Sequence, residues 1–237
     1  MFSAPAFLDL DQTDHTALFR TGAGQEESRV WNALPRIGEH LGQLLLDTRD
    51  RLSGDVHEGA TVGPQVVVSR GAVVEAHAVI KGPAWIGPGT TVRSGAYVRE
   101  NVIVGNHCVL GNSSEFKNCI LFNHCEAPHF NYVGDSILGF KAHLGAGVIC
   151  SNVRLDRQSI RVRTGGNEQW IETGLRKFGA VIGDYSEVGC HSVLSPGSIL
   201  GRHCIVHPCI HWRGTLPANR IVRNRGEWEV MVREGEF

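Results

Sequence analysis

Between Ala84 and Phe116 the chain reads AWIGPGTTVRSGAYVRENVIVGNHCVLGNSSEF. Stepping by six through this stretch touches Ile86, Val92, Val98, Val104, Leu110 and Phe116. Extended backwards, the same register takes in Val62, Val68, Val74 and Ile80. Two residues before each lies a small or β-branched side chain, among them Ala72, Ala78, Ala84, Thr90, Ala96, Val102, Cys108 and Ser114. The period restarts at Leu138 and Leu144, then runs through Ile182, Val188, Leu194, Leu200 and Val206. An antiparallel sandwich would alternate with period two and turn every 8 to 12 residues. A period of six instead describes a triangular coil. Each hexapeptide is one flat face with its aliphatic residue turned inward, and stacked three-hexapeptide rungs bury a continuous core. The fold expected is all-β, a left-handed parallel β-helix, with glycine and asparagine at its corners.

The rest of the chain is read against that register. Residues 1–55 form an arm and an amphipathic helical segment, with Val30, Leu34, Ile37, Leu41, Leu44, Leu45 and Leu52 on one face and a break at Pro35. Such a helix must bury its stripe, most simply on the first rung or on another subunit. The coil covers 56–212 and is broken twice. The stretch 122–132 (FNHCEAPHFNY) reads as a short insertion. The stretch 151–179 is a longer one, in which IRVRTGGNEQWIE predicts a hairpin with a Thr-Gly-Gly-Asn turn. Residues 213–237 lack the period and are read as a tail. Loops on an otherwise regular solenoid are where function is expected.

Composition excludes several classes. A formal net charge of −1 leaves no basic footprint for nucleic acid. No apolar run approaches the roughly 18 residues of a membrane span. The start, MFSAPAFLDLDQTDH, has no basic leader region, so a cytoplasmic location is the expectation. Seven cysteines, an odd number without a C-x-x-C pair, argue against a disulfide framework. Cys108 and Cys204 fall on small repeat positions. Cys119 and Cys125 have no activating base in the pattern.

The stretch EFKNCILFNHCEAPHFNYVGDSILGFKAHLGAG, residues 115–147, resembles the acetyltransferase domain of bifunctional N-acetylglucosamine-1-phosphate uridyltransferases. It is still more similar to the matching domain of archaeal sugar-1-phosphate nucleotidyltransferases, and SNVRLD…TGLRKFGAVIGD continues the likeness. The glycine-rich loop L-A-A-G-x-G-T-R of the uridylyltransferase half does not occur in the sequence, so uridylyl transfer by this chain is not expected. The resemblance implies acetyl transfer from acetyl-CoA to the amine of an amino-sugar phosphate, in a homotrimer. It puts His129 on the general base, Tyr132 and Lys117 on contacts to the sugar phosphate, and Arg99 on a phosphate grip. It puts Asn152 near the thioester and Ala146 on a cofactor-contacting amide, with Ser192 grouped among the cofactor contacts. Where relatives carry a sugar-binding asparagine this chain has His143. Where they carry a further phosphate-binding lysine it has Gly179, with Lys177 nearby. The acceptor is therefore left open.

The residues support that chemistry in their own right. An imidazole titrating near neutrality can take a proton from an attacking amine. Arg99 and Lys117 lie 18 residues apart, one full rung, and should stack on the same face as a phosphate site would need. Each also has a plainer reading, His129 as a turn residue and the two cations as solvated face charges. Two alternatives stay open. One is a non-catalytic trimeric scaffold or sugar-phosphate-binding subunit. The other is a zinc enzyme like the γ-class carbonic anhydrases, using the H-x4-H pair His124 and His129, with His203, His207 and His211 as a second series. The primary expectation includes no metal.

Overall fold

The structure, a computed structural model, describes residues 2–20, 29–163, 169–224 and 226. Two- to four-residue strands build three parallel sheets of nine, eight and eight strands, joined in rotation so that neighbours within a sheet are one rung apart in sequence. The first face starts at Asp55–Val56, the second at Thr61–Val62 and the third at Val66–Val68. This is the expected parallel β-helix. The inward positions Val68, Val74, Ile80, Ile86, Val92, Val98, Val104, Leu110 and Phe116 have no exposed surface. The small partners are buried too, and their hydroxyls staple one rung to the next. Thr90 Oγ1 donates to the Gly105 carbonyl and accepts from Cys108 N–H. Corners repeatedly hold non-glycine residues at positive φ, such as His107, His124 and Tyr185, a conformation that side chains enter rarely.

Residues 122–132 are not an insertion. Glu126–His129 and Tyr132–Gly134 are strands of the first and second faces, in ladder register on both sides. What interrupts the period is a pair of shortened corners. Tyr97 pairs with Glu115 eighteen residues on, whereas Glu115 pairs with Tyr132 and Tyr132 with Ile149 at seventeen. One residue is missing at Lys117–Asn118 and another at Gly134–Asp135, both between the second and third faces. The inward series therefore continues as Phe116, Leu121, Ala127, Val133, Leu138, Leu144 and Cys150, all fully buried. The stretch 151–179 does leave the coil, from that same corner. Its hairpin pairs Arg161–Arg163 antiparallel to Trp170–Glu172, and the Thr-Gly-Gly-Asn turn falls outside the described residues. The coil also outlasts residue 212. Thr215–Leu216 extends the third face and Ile221–Val222 the first, so the tail begins only after Val222.

The N-terminal region lies against its own coil, and not on the first rung alone. Val30–Arg36 is a 3-10 segment containing Pro35, which passes into an α-helix over Ile37–Asp47. The helix packs on the strand Val102–Val104. Trp31 meets Phe178, Phe19 meets Phe122, and Asp9 N–H donates to Asp184 at 2.6 Å. Under this cover the outward residues Val67, Ile103, Ile120, Ile137, Val181 and Ile199 of the third face are buried. Val30, Leu34, Ile37, Leu41 and Leu45 supply the expected stripe, but Leu44 is only half-buried and Leu52 is exposed. The sequence starts the helical pattern at Glu26, which lies outside the described residues.

His15 clips the arm to the helix. Its Nδ1 lies 3.1 Å from His40 Nε2 and its ring stands edge-on to Trp85. Burial, helped by His40, lowers the His15 pKa to about 4. An unfolded histidine gains its proton below about pH 6.5, while folded His15 does not until about pH 4. Stability is therefore expected to fall as pH drops from 6.5 to 4. His15→Gln should make that fall shallower, read as the urea midpoint at a series of pH values. Ile103→Ala tests the cover itself. On an uncovered outward face it would cost almost nothing, but beneath the helix it should cost about 2–5 kcal/mol, measured by denaturant unfolding.

Candidate functional site

The shortened corners collect three of the expected site residues around one carboxylate. Lys117, Asp135 and Asn152 stand at the same corner in three successive rungs. Asp135 is 3% exposed. Its Oδ1 accepts from Asn118 Nδ2 at 2.9 Å and from Lys117 Nζ at 3.4 Å. Its Oδ2 accepts from Asn152 Nδ2 at 2.5 Å. The same Asn152 Nδ2 donates to the Tyr132 hydroxyl at 3.2 Å. Burial raises the Tyr132 pKa, with the Asn152 hydrogen bond acting against it, so the phenol stays protonated at neutral pH. Gly134 makes the gathering sterically feasible. A Cβ there would lie 2.5 Å from the Tyr132 hydroxyl and 2.8 Å from Asn152 Nδ2.

Arg99 adjoins this group one rung before Lys117, with its backbone N–H donating to the Phe116 carbonyl. Its Nη1 donates to Glu115 Oε1 at 2.9 Å and Glu100 flanks it. The hydrogen bond to Glu115 is the main cause of its raised pKa. Both cations are thus already paired with carboxylates. An arriving phosphate would compete with Glu115 for Arg99 at a partly exposed position, and with Asp135 for Lys117 at a mostly buried one.

His129 bounds the other edge of the second face, at the corner shared with the first. It ends the strand Glu126–His129 and is exposed. Its ring has no hydrogen-bond partner among the described residues. Its backbone is fixed, since the N–H donates to the Oδ1 of buried Asn131 and the carbonyl accepts from Gly147 N–H. Ala146 thereby sits in the next rung over His129, half-exposed. His143 lies on the first face between Glu126 and Glu187, across that corner from Tyr132. Ser192 corrects an expectation. It has no exposed surface, and its hydroxyl donates to the His207 carbonyl and accepts from Ile210 N–H, so it staples rungs and cannot touch a cofactor. Gly179 is pressed onto the coil, where a Cβ would lie 2.2 Å from Ser136 Oγ, so no longer side chain fits.

Above Asn152 the second face opens into a cleft of about 490 Å³ between the coil and the departing segment. Arg154, Arg161 and Arg213 line it, with Ser195 Oγ and His211 Nε2 in contact at 2.7 Å. Arg161 and Arg213 both stack on Trp170. Reading the sequence missed this cleft and missed Asp135, although the aspartate stands inside the quoted YVGDS. The register error at 122–132 hid its alignment with Lys117 and Asn152. The two histidines of the zinc alternative do not share a site within one chain. His124 stacks on His107 at the corner of the first and third faces, while His129 occupies the other corner. No group of three or more metal-ligating side chains occurs among the described residues. No described helix is long and apolar enough to cross a membrane. Burial pushes Cys150 up to about 12 and Cys119 and Cys125 well above the usual thiol range, so they are not nucleophiles.

Residues 80–165 match the family described as GMPPB C-terminal domain. The chain is 33% identical over 192 residues to the bifunctional protein GlmU of Methanococcus vannielii, covering 77% of this chain and 46% of the relative. It is 32% identical over 94 residues to a bifunctional sugar-1-phosphate nucleotidylyltransferase/acetyltransferase of Sulfurisphaera tokodaii, covering 40% and 23%. Among solved structures it aligns with PerB from Caulobacter crescentus, crystallised with CoA and GDP-perosamine. That alignment has 18% identity and a TM-score of 0.29, and it covers 79% of this chain and 62% of that one. The chain spans less than half the length of these two sequence relatives.

Gly134→Ala is expected to leave the coil folded while displacing Tyr132 and Asn152. Tyrosine fluorescence and near-ultraviolet circular dichroism should change while the far-ultraviolet spectrum does not.

Proposed function

We propose, from the kinship of this chain with the bifunctional GlmU proteins, that it is an acyl-CoA-dependent transferase. In this reading it carries acetyl to the amine of a sugar phosphate or nucleotide-linked sugar. The observation that carries the proposal is the convergence of Lys117, Tyr132 and Asn152 on one corner of the second face, directly beneath the arginine-lined cleft. The cleft suits the phosphate-bearing end of CoA, with Arg154, Arg161 and Arg213 as counter-charges. The lower part, with Arg99, Lys117 and the Tyr132 hydroxyl, suits a phosphorylated sugar.

His129 is the general base of this proposal. Its backbone is pinned by Asn131 and its ring has no hydrogen-bond partner among the described residues, so the imidazole is available to a bound amine. The amine nitrogen attacks the thioester carbonyl, the carbon–sulfur bond breaks, and the proton removed by His129 can return to the departing thiolate. His143 would shape the sugar pocket from the first face, and Ala146 would offer its backbone to the donor. The assembly proposed is a homotrimer.

Thiol release from acetyl-CoA with a panel of amino-sugar phosphates and nucleotide amino-sugars tests this reading. His129→Ala should lower acceptor-dependent release by roughly 10²-fold or more without unfolding the chain. Arg99→Ala should raise the KM for the acceptor more than that for acetyl-CoA. Binding of an amino-sugar phosphate without release from any acceptor would instead favour the non-catalytic subunit, which the carboxylate pairing of both cations also fits.

A further inference from the structure

Asp135 has no part in the expected site, yet every side chain it holds either belongs to that site or braces it. Three donors from the two rungs on either side of its own converge on its carboxylate, namely Lys117 Nζ and Asn118 Nδ2 from one and Asn152 Nδ2 from the other. A carboxylate only accepts hydrogen bonds, so it dictates which way the Asn152 amide faces. Nδ2 must point inward, to Asp135 and the Tyr132 oxygen. Oδ1 is then turned the other way and has no hydrogen-bond partner among the described residues. With its oxygen accepting from Asn152, Tyr132 keeps its own O–H free to donate. A donor and an acceptor are thereby presented side by side over Gly134, with Lys117 drawn in beneath.

We propose that Asp135 is the positioning residue of this site, orienting Asn152 with its carbonyl oxygen outward and holding Lys117 and Tyr132 in one arrangement. This rests on the acyl-transfer reading for its kinetic consequence but not for its geometry. In that arrangement Asn152 serves as a hydrogen-bond acceptor, for an amide N–H of the acyl donor or the N–H of the attacking amine. It does not serve as a donor to the thioester oxygen, because its N–H group is already committed to Asp135 and Tyr132.

The test uses the full chain with Asp135→Asn, Asn152→Ala and the double variant. With acetyl-CoA and glucosamine-1-phosphate or the best acceptor found, Asp135→Asn should lower kcat/KM by roughly 10- to 100-fold. Because Asp135 acts through Asn152, the double variant should be little slower than the slower single one. Losses that multiply would overturn the proposal. A second readout needs no turnover. Labelling of Lys117 by an amine-reactive ester, followed by mass spectrometry, should be several-fold faster in Asp135→Asn, and an unchanged rate would overturn the proposal. If Asp135→Asn does not fold, Asn118→Ala replaces it. By freeing one side of the carboxylate, it should shift both readouts in the same direction by less, and no shift would count against the proposal. Faster labelling in a chain that acetylates nothing would sink the acyl-transfer reading while leaving the positioning role intact.

Discussion

The interaction on which the rest of this structure depends is the backbone ladder between successive rungs. Each strand is only two to four residues long and is stable because it donates to one neighbour and accepts from the other. Tyr132 N–H bonds to the Val148 carbonyl, and Glu115 N–H to the Asn131 carbonyl. The ladder fixes register, and register decides which side chains face inward. An aliphatic residue at the inward position is then a packing necessity. Because rungs touch only their neighbours, a local change in one corner need not disturb distant faces. The site exploits that freedom by concentrating its irregularities between the second and third faces.

The inward series from Val68 to Phe116 was readable from sequence, because an aliphatic residue every six positions has no other economical explanation. Of the residues carried over by resemblance, Lys117, Tyr132 and Asn152 gather at one corner, while Ser192 is buried in the ladder. What escaped had definite physical causes. A fixed step of six cannot follow a corner one residue short, so Leu121 and Val133 dropped out of the period and Ala127 passed for part of an insertion. Val67, Ile103 and Val181 look like outward residues because periodicity gives direction and says nothing about what covers a face. The run of three apolar residues at Val66–Val68, Val102–Val104 and Ala180–Ile182 was the available sign that one face is buried on both sides. Ser192 shows the converse, since a hydroxyl that resembles a ligand contact is consumed by the ladder of the coil.

Covering one face also settles how the chain can use the other two. The N-terminal arm and helix, tied by the Asp9–Asp184 and His15–His40 contacts, occupy the third face. The first and second faces meet at the His129 corner and carry the exposed polar residues Glu126, His129 and Glu187. The cover therefore reaches the edge of the third face next to the Lys117–Asp135–Asn152 corner, where Trp31 meets Phe178 of the excursion, while His129 lies at the corner away from it.

Strands stacked about 4.8 Å apart make a coil of this kind a graduated scale. Lys117, Asp135 and Asn152 are adjacent marks on it, which fixes the spacing between their side chains. The corner they share works as an expansion joint. It has absorbed the loss of one residue, then of another, then the whole excursion from 151 to 179, and above it Val181 still meets Ile137 in register. Chain can be added or removed there without moving any mark on the scale, so this is where such a coil can change what it measures while keeping the ruler.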